Sequence, residues 1–396
     1  MKTQEQETAF QRAFENKEKA ITGLILSGGG ARAAYQVGVL SAIADLAPES
    51  ADNPFEVIVG TSAGAINAVS LACGSLDFQS AIRRLTDIWQ NFKTEHVYRT
   101  DWWGVLRQAA RFIGQHLLGF GRGLDPVALL DNSPLRELLL KELDFSGINL
   151  AVARRKLRAI AITAFAYQSG QAVTFYQGRG NIEQWARHRR NGLPARLGIE
   201  HLMASSAIPL LFPPVRLNNE YFGDGAVRQA APISPALHLG ANRILVIGVR
   251  SQDEEKQVIP KTARPPSLAQ IGAHLLNSTF IDNLESDLEL LGRLNALGQM
   301  LPEEERIKDI GLSPVEVLVI APSKSIDEIA TRHRHQLPAS LRLFLRGSGA
   351  TRPTGGGVLS YLLFERSYCN ELIELGYQDA MSSKDELSAF LGINSS

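Results

Sequence analysis

Three short stretches carry groups suited to one acyl-transfer site: Ser27-Gly28-Gly29-Gly30-Ala31-Arg32, Gly60-Thr61-Ser62-Ala63-Gly64 and Asp224-Gly225-Ala226. In the second, Gly60 and Gly64 permit the sharp strand-to-helix turn on which a nucleophilic hydroxyl is exposed. Val57-Ile58-Val59 precedes it as an apolar strand, and the small residues Ala63 to Ala68 follow as a helix. The same serine could instead cap that helix. In the first stretch, consecutive N–H groups at a helix start attract an anion, either a phosphate or a developing oxyanion. Ala33 stands where a dinucleotide fingerprint has its last glycine, and the lysine and hydroxyl of a phosphate loop are missing. An oxyanion hole therefore gains over nucleotide binding for Gly28, Gly29 and Gly30. Arg32 reads as a brace for this loop, a contact for a lipid phosphate, or a surface residue. Asp224 offers a carboxylate after Tyr221-Phe222, although Gly223-Asp224-Gly225 also reads as a hairpin turn.

A histidine base would complete a serine triad. Of the eight histidines, His238 and His274 follow Asp224 in the serine, acid, histidine order of the hydrolase fold. Neither stands beside a glycine-bearing strand end. His238 falls in an expected helix, Pro235 to Gly240, and His333 and His335 alternate in a solvated basic patch. Ser62 also follows only two strands, earlier than that fold places its nucleophile. The residues disfavour a triad.

These groups can meet only if the fold carries them to one edge. Gly23 to Leu26 and Phe55 to Val59 are apolar strands, each followed by a turn and a helix, and Pro48 stops the first helix. Strand, turn and helix twice over imply a parallel sheet, with both turns at its carboxyl edge. Further strands are expected at Ala159–Phe165, Ala172–Tyr176, Arg243–Val249 and Val315–Ile320. Gly355-Gly356-Gly357 has no strand before it and reads as a flexible loop. Val358 to Leu391 has helical periodicity and is expected to pack back onto the core.

The composition fits this reading. With 396 residues, 44% apolar and 21% charged, the chain can build a sizeable core. Its formal net charge of zero gives no field toward nucleic acid. Cys73 and Cys369 lack the spacing of a zinc site or a disulfide framework and read as small buried hydrophobes. The polar first twenty residues hold no secretory signal, and no apolar run reaches the roughly 18 residues of a membrane span. The chain therefore reads as cytoplasmic, with peripheral membrane contact and secretion by an uncleaved route left open.

In this order and at these intervals, the three motifs resemble those of the patatin-like phospholipase family over roughly Leu24 to Leu237. Ala204-Ser205-Ser206-Ala207-Ile208-Pro209 with Phe212-Pro213-Pro214 is similar to the stretch the family places before its aspartate. Pro232 to Val246 resembles its next helix and strand, and Leu375 to Ala380 a segment common in bacterial members. The resemblance implies an α/β fold, a three-layer α/β/α architecture with a mainly parallel central sheet and a C-terminal helical elaboration. It implies a Ser-Asp dyad without histidine: Ser62 as nucleophile, Asp224 as proton acceptor, and Gly28, Gly29 and Gly30 as oxyanion donors. Arg32, Gly60, Gly64 and Gly225 fall in supporting positions. No metal or cofactor is implied, and the substrate would be a phospholipid or lysophospholipid. Ala33 replaces the glycine usual after the basic residue, which bears on rate and specificity.

The chain divides, on this reading, into a polar arm (1–21), a catalytic domain (22–250) and a C-terminal extension packed on the core (251–396). Asp101 to Gly119 reads as a helix packed on the core or as a basic amphipathic helix, with Trp102-Trp103 suited to a lipid interface. Leu275 to Leu297 suits a lid or a dimer contact, so a homo-oligomer is allowed. Two rival functions stand beside lipid hydrolysis: a soluble carboxylesterase or acyltransferase on smaller esters, and a catalytically silent lipid-binding module.

Overall fold

The computed structural model describes residues 20–48, 51–101, 107, 110, 114, 128–229, 231–251, 282–299, 315–346 and 356–393. Five apolar runs form the parallel heart of one sheet: β1 (Thr22–Leu26), β2 (Val57–Thr61), β3 (Ala159–Ala166), β9 (Arg243–Ile247) and β10 (Glu316–Ile320). Between β3 and β9 in the chain come β4 (Gln171–Gly178), β5 (Trp185–Arg187), β6 (Arg190–Pro194), β7 (Val215–Leu217) and β8 (Glu220–Asp224). The order across the sheet is β10-β9-β1-β2-β3-β4-β6-β5, with β8 paired to β3 and β7 to β8. All neighbours from β10 to β3 are parallel, and β4 reverses against β3.

Side chains alternate between two cores, as the two-residue period of a strand requires. Leu24, Leu26, Ile58, Ile160 and Ile162 enter the larger one, while Ile25, Val57, Val59, Ala159 and Ala161 enter the other. The first face is covered by helices α1 (Ala34–Leu46), α2 (Ala63–Cys73) and α3 (Phe78–Gln90), with α4 (Ile199–Ser205) near the site. The second carries α5 (Ser234–His238) and α6 (Asp282–Gln299). The C-terminal helices α7 (Ile326–His333), α8 (Gly356–Leu362) and α9 (Arg366–Ser382) return to the first face. This is the expected three-layer arrangement. Helix α3 shows why the layers adhere: Phe78, Ala81, Ile82, Leu85 and Trp89 form one buried stripe, started by Asp77 accepting from Ser80 N–H at 3.0 Å.

Helix α9 lies along α1, and they touch where neither has a side chain. A Cβ on Gly38 would strike the backbone carbonyl of Ile373, and one on Gly376 would strike that of Tyr35. Strand β10 extends the same sheet beyond β9. Among the described residues, no helix is long and apolar enough to cross a membrane.

One local expectation fails. Gly356 and Gly357 begin α8 rather than a flexible loop, while Gly355 lies outside the described residues. Burial of Leu359, Tyr361 and Leu362 outweighs the poor helix propensity of glycine. Strands β5 to β8 escape the apolar pattern because β5 and β6 form a basic hairpin at the sheet edge, and β7 and β8 are short.

Candidate active site

Strand β3 acts as the common rail for two distant residues. Its Thr163 is the register partner of Thr61 at the end of β2. The next residue, Ala164, is the partner of Asp224 at the end of β8. Because β4 occupies the other flank along the full length of β3, β8 must arrive on the β2 side, head-on to it. Ser62, one residue past β2, therefore meets Asp224.

Ser62 itself is held in a strained turn, at φ 56° and ψ −130°. Its side chain makes no helix-capping hydrogen bond, so the capping alternative fails. The backbone is pinned: Ser62 N–H donates to Ser205 Oγ at 2.9 Å, and Ser205 Oγ donates to the Thr163 carbonyl at 2.7 Å. A Cβ on Gly64 would meet the carbonyl oxygens of Leu26 and Ser27, so α2 can start against β1 only with glycine there.

Asp224 is fully buried. It is no hairpin residue, because the β7–β8 turn falls at Asn218-Asn219 and Asp224 opens a 3₁₀ turn instead. Its amide donates to the Ala207 carbonyl at 2.9 Å, and its Oδ1 accepts from Ala226 N–H at 3.0 Å. Oδ2 has no aligned partner among the described residues. Burial pushes the carboxyl up from 3.8 to about 7, against smaller opposing effects of the Ser62 hydroxyl and the Ala226 amide. A Cβ on Gly225 would strike the Thr163 carbonyl, so this turn too needs glycine.

The glycine stretch forms a 3₁₀ turn (Gly30–Ala33) that runs directly into α1. Gly30 sits at φ 55°, and a Cβ on it would collide with the Tyr361 carbonyl. The first amides of such a turn have no carbonyl within their own helix. Arg32 is fully buried, which removes the surface and lipid-phosphate alternatives. Its Nε donates to Ser360 Oγ at 2.9 Å, its Nη2 to Asp327 Oδ1 at 2.7 Å, and its guanidinium lies 4.2 Å from the centre of the Tyr361 ring. The methyl of Ala33 is fully buried and its carbonyl accepts from Asn67 Nδ2 at 3.1 Å. Asn67 Nδ2 also reaches Gln36 Oε1, and Gln36 Nε2 donates to the Ser27 carbonyl at 2.8 Å. Trp89 Nε1 completes this chain on Asn67 Oδ1 at 2.8 Å. Glycine loop, serine helix and cavity wall are thus one buried polar network.

A narrow cavity opens beside these groups, with Gly30, Ser62 and Ser206 in its lining. Its other walls are apolar, among them Ile66, Trp89, Phe92, Ile208, Phe212 and Phe364.

The remaining candidates fall elsewhere. Among the described residues, no histidine bonds to Ser62 or Asp224. His238 stacks on Trp185, with ring centres 4.6 Å apart, and His201 packs edge-on against Phe175. His333 is not simply solvated: it is half-buried and pairs with Glu371 Oε2 at 2.6 Å. His116 and His274, with Trp102 and Trp103, lie outside the described residues. From Leu275–Leu297, the described part lies in α6, whose Leu284, Leu288 and Leu291 pack on the second core, across the sheet from the cavity. It is not placed as a lid. Burial raises the thiols of Cys73, to about 12, and Cys369. Among the described residues, no group of histidine, cysteine and carboxylate side chains is arranged for a metal.

Comparison with known proteins identifies the family. The family model for patatin-like phospholipase matches residues 24–237, more than half the chain. The chain belongs to the patatin-like phospholipase family. A cGAMP-activated phospholipase of Pseudomonas aeruginosa is 26% identical over 216 residues, covering 54% of this chain and 55% of that protein. The chain thus spans about half the length of that relative. Among solved structures, human GIVD cytosolic phospholipase A2 is 13% identical with a TM-score of 0.40, over 94% of this chain and 60% of that one. VipD from Legionella pneumophila is 12% identical with a TM-score of 0.32, over 90% and 67%.

The family match ends before several residues that border the site. Tyr361 and Phe364 line the cavity, and Asp327 and Ser360 hold Arg32. The lone sequence signal for them was the apolar periodicity of the C-terminal segment, which marks a packed helix without saying against what. Ser205 was visible only as part of a family-like stretch.

Proposed function

We propose that this patatin-like chain hydrolyses carboxylic esters of phospholipids or lysophospholipids, as a phospholipase A or lysophospholipase. Ser62 is the nucleophile, Asp224 the proton acceptor, and the amides of Gly28, Gly29 and Gly30 the oxyanion donors. The observation that carries this reading is the buried Asp224 carboxyl, raised to about 7 beside the hydroxyl of Ser62, which itself lines an apolar cavity.

Ser62 Oγ attacks the ester carbonyl as its proton passes to Asp224, and the glycine-loop amides receive the charge that develops on oxygen. Collapse of the tetrahedral species breaks the ester bond, and the departing alcohol takes the proton from Asp224. Water then attacks the acyl-serine, losing a proton to Asp224, which passes it to Ser62 Oγ as the acyl bond breaks and the fatty acid leaves. A carboxylate whose proton affinity is matched to neutral pH is a far better base here than one titrating near 3.8. The apolar walls hold the acyl chain. Each step uses groups of this chain and water. Residues 22–250 form the catalytic domain in this reading, 251–396 the extension, and Trp102-Trp103 the contact with a lipid surface.

The test is a fluorophosphonate label located by mass spectrometry, with product analysis on defined phospholipids, lysolipids and short esters. Label on Ser62 and loss of turnover in Ser62→Ala and Asp224→Asn are expected. Label elsewhere, or full turnover by either variant, overturns the assignment; activity confined to short esters overturns the lipid substrate.

A further inference from the structure

The C-terminal segment does more than cover the core. We infer that Asp327 is a positioning residue, which fixes the glycine loop through Arg32 and so places the loop's amide donors for catalysis. The inference rests on the proposed role of that loop.

The contacts form a closed triangle. Arg32 Nε donates to Ser360 Oγ at 2.9 Å, Ser360 Oγ donates to Asp327 Oδ1 at 2.7 Å, and Arg32 Nη2 donates to the same oxygen at 2.7 Å. The Gly357 carbonyl accepts weakly from Nη2 at 3.4 Å. The Tyr361 ring lies under the guanidinium, and the Tyr361 carbonyl occupies the space where a Cβ on Gly30 would stand. The backbone of Arg32 closes the turn itself, its N–H donating to the Gly29 carbonyl at 3.1 Å. One residue thus carries the loop's closing bond in its backbone and an anchor to α7 and α8 in its side chain.

A fully buried arginine is a costly way merely to fill space, since well-packed apolar residues can match the stability of a buried ion pair. What the ion pair adds is direction. Oxyanion donors act only if aimed at where charge develops, and misplacement by about 1 Å costs on the order of a hundredfold in rate. Asp327 is the partly exposed member of the triangle, with 27% of its side chain accessible, while Arg32 has 0%. It can therefore be altered from the solvent side without opening the core.

The experiment compares Asp327→Asn, Asp327→Glu and Ser360→Ala with wild type in the full chain. The readouts are kcat and KM on a lysophospholipid, the affinity of a long-chain trifluoromethyl ketone, the affinity of the free fatty acid, and the thermal midpoint. The ketone mimics the tetrahedral oxyanion, and the fatty acid reports only on the acyl cavity. In Asp327→Asn, kcat should fall roughly ten- to a hundredfold with KM changed by less than about twofold. Ketone affinity should fall by the same factor and fatty-acid affinity should hold. Asp327→Glu should recover part of the loss, and Ser360→Ala should show the same pattern more weakly. Should Asp327→Asn not fold, Ser360→Ala decides by the same readouts. An unchanged kcat in the folded variant, or equal losses for ketone and fatty acid, overturns the inference. A Ser62→Ala control separates the two claims: if it retains turnover, the reading of the site has failed rather than the role of Asp327.

Discussion

The hydroxyl of Ser62 lies against the carboxylate of Asp224, which among the described residues is otherwise held by a single amide, Ala226 N–H. Burial lifts this carboxyl to about 7, so its basic form must be present for the serine to be activated. The expected profile of kcat/KM against pH rises with a single ionisation near pH 7 and flattens above it. Stopped assays on a neutral ester from pH 5 to 9 check this; a profile flat across that range would show an ordinary carboxylate.

The same shift has a stability consequence. Between about pH 4 and 7 the folded state keeps a proton that the unfolded chain has released. Stability from this group is thus full below the free value of 3.8 and is lost as pH rises through about 7. The loss is at most about 4 kcal/mol at pH 8. Asp224→Asn carries no such charge, so it should be more stable than wild type at pH 8 and equal to it near pH 4. Urea unfolding at the two pH values is the measurement.

Strain at Ser62 predicts an inversion of the usual glycine rule. A side chain at φ 56° and ψ −130° costs about 1–3 kcal/mol, while glycine loses about 0.5–1 kcal/mol of backbone entropy. Ser62→Gly should therefore be more stable than Ser62→Ala by roughly 1 kcal/mol. Both are expected to be inactive. Equal denaturant midpoints would show that the turn is relaxed.

Gly30→Ala should fail twice. Its φ of 55° disfavours a side chain, and its Cβ would enter the Tyr361 carbonyl. A loss of about 2 kcal/mol or more in stability is expected, with hydrolysis reduced at least about a hundredfold because the donors are displaced. Retention of normal kcat would remove Gly30 from the site.

Phe364 reaches the cavity from beyond the family match and packs on Trp89, Phe92 and Tyr98, with centroid distances of 6.3, 5.8 and 6.4 Å. Phe364→Leu should lengthen the acyl chain accepted, shifting relative kcat/KM toward longer chains by several-fold, on the order of 1 kcal/mol. A series of lysolipids of increasing chain length reads this directly. An unchanged preference would place the chain elsewhere.

The parallel heart of the fold was legible because strands buried on both faces must be apolar along their whole length. LIL, VIV, AIAITAF, RILVI and EVLVI all announce themselves. The strained serine turn was legible from Gly60 and Gly64, whose lack of side chains the backbone of α2 and β1 demands. Strand β8 was not, since EYFGD is short and mixed, and its register on β3 is a tertiary fact. Burial of Asp224 was equally hidden, so its carboxyl read as an ordinary weak base until its surroundings were known. Brace, lipid contact and surface residue all stayed open for Arg32, and Asp327 gave no signal, because an ion pair between distant segments leaves no local pattern.

The bare crossing of Gly38 and Gly376 joins the helix that continues from the glycine loop to one near the other end of the chain. Any side chain at either position would lever these rods apart, and no neighbour can yield, since each obstacle is peptide backbone. Two segments far apart in the chain are thereby bound to a shared fate: drift near one must be answered near the other, or the fold comes unfastened at its seam.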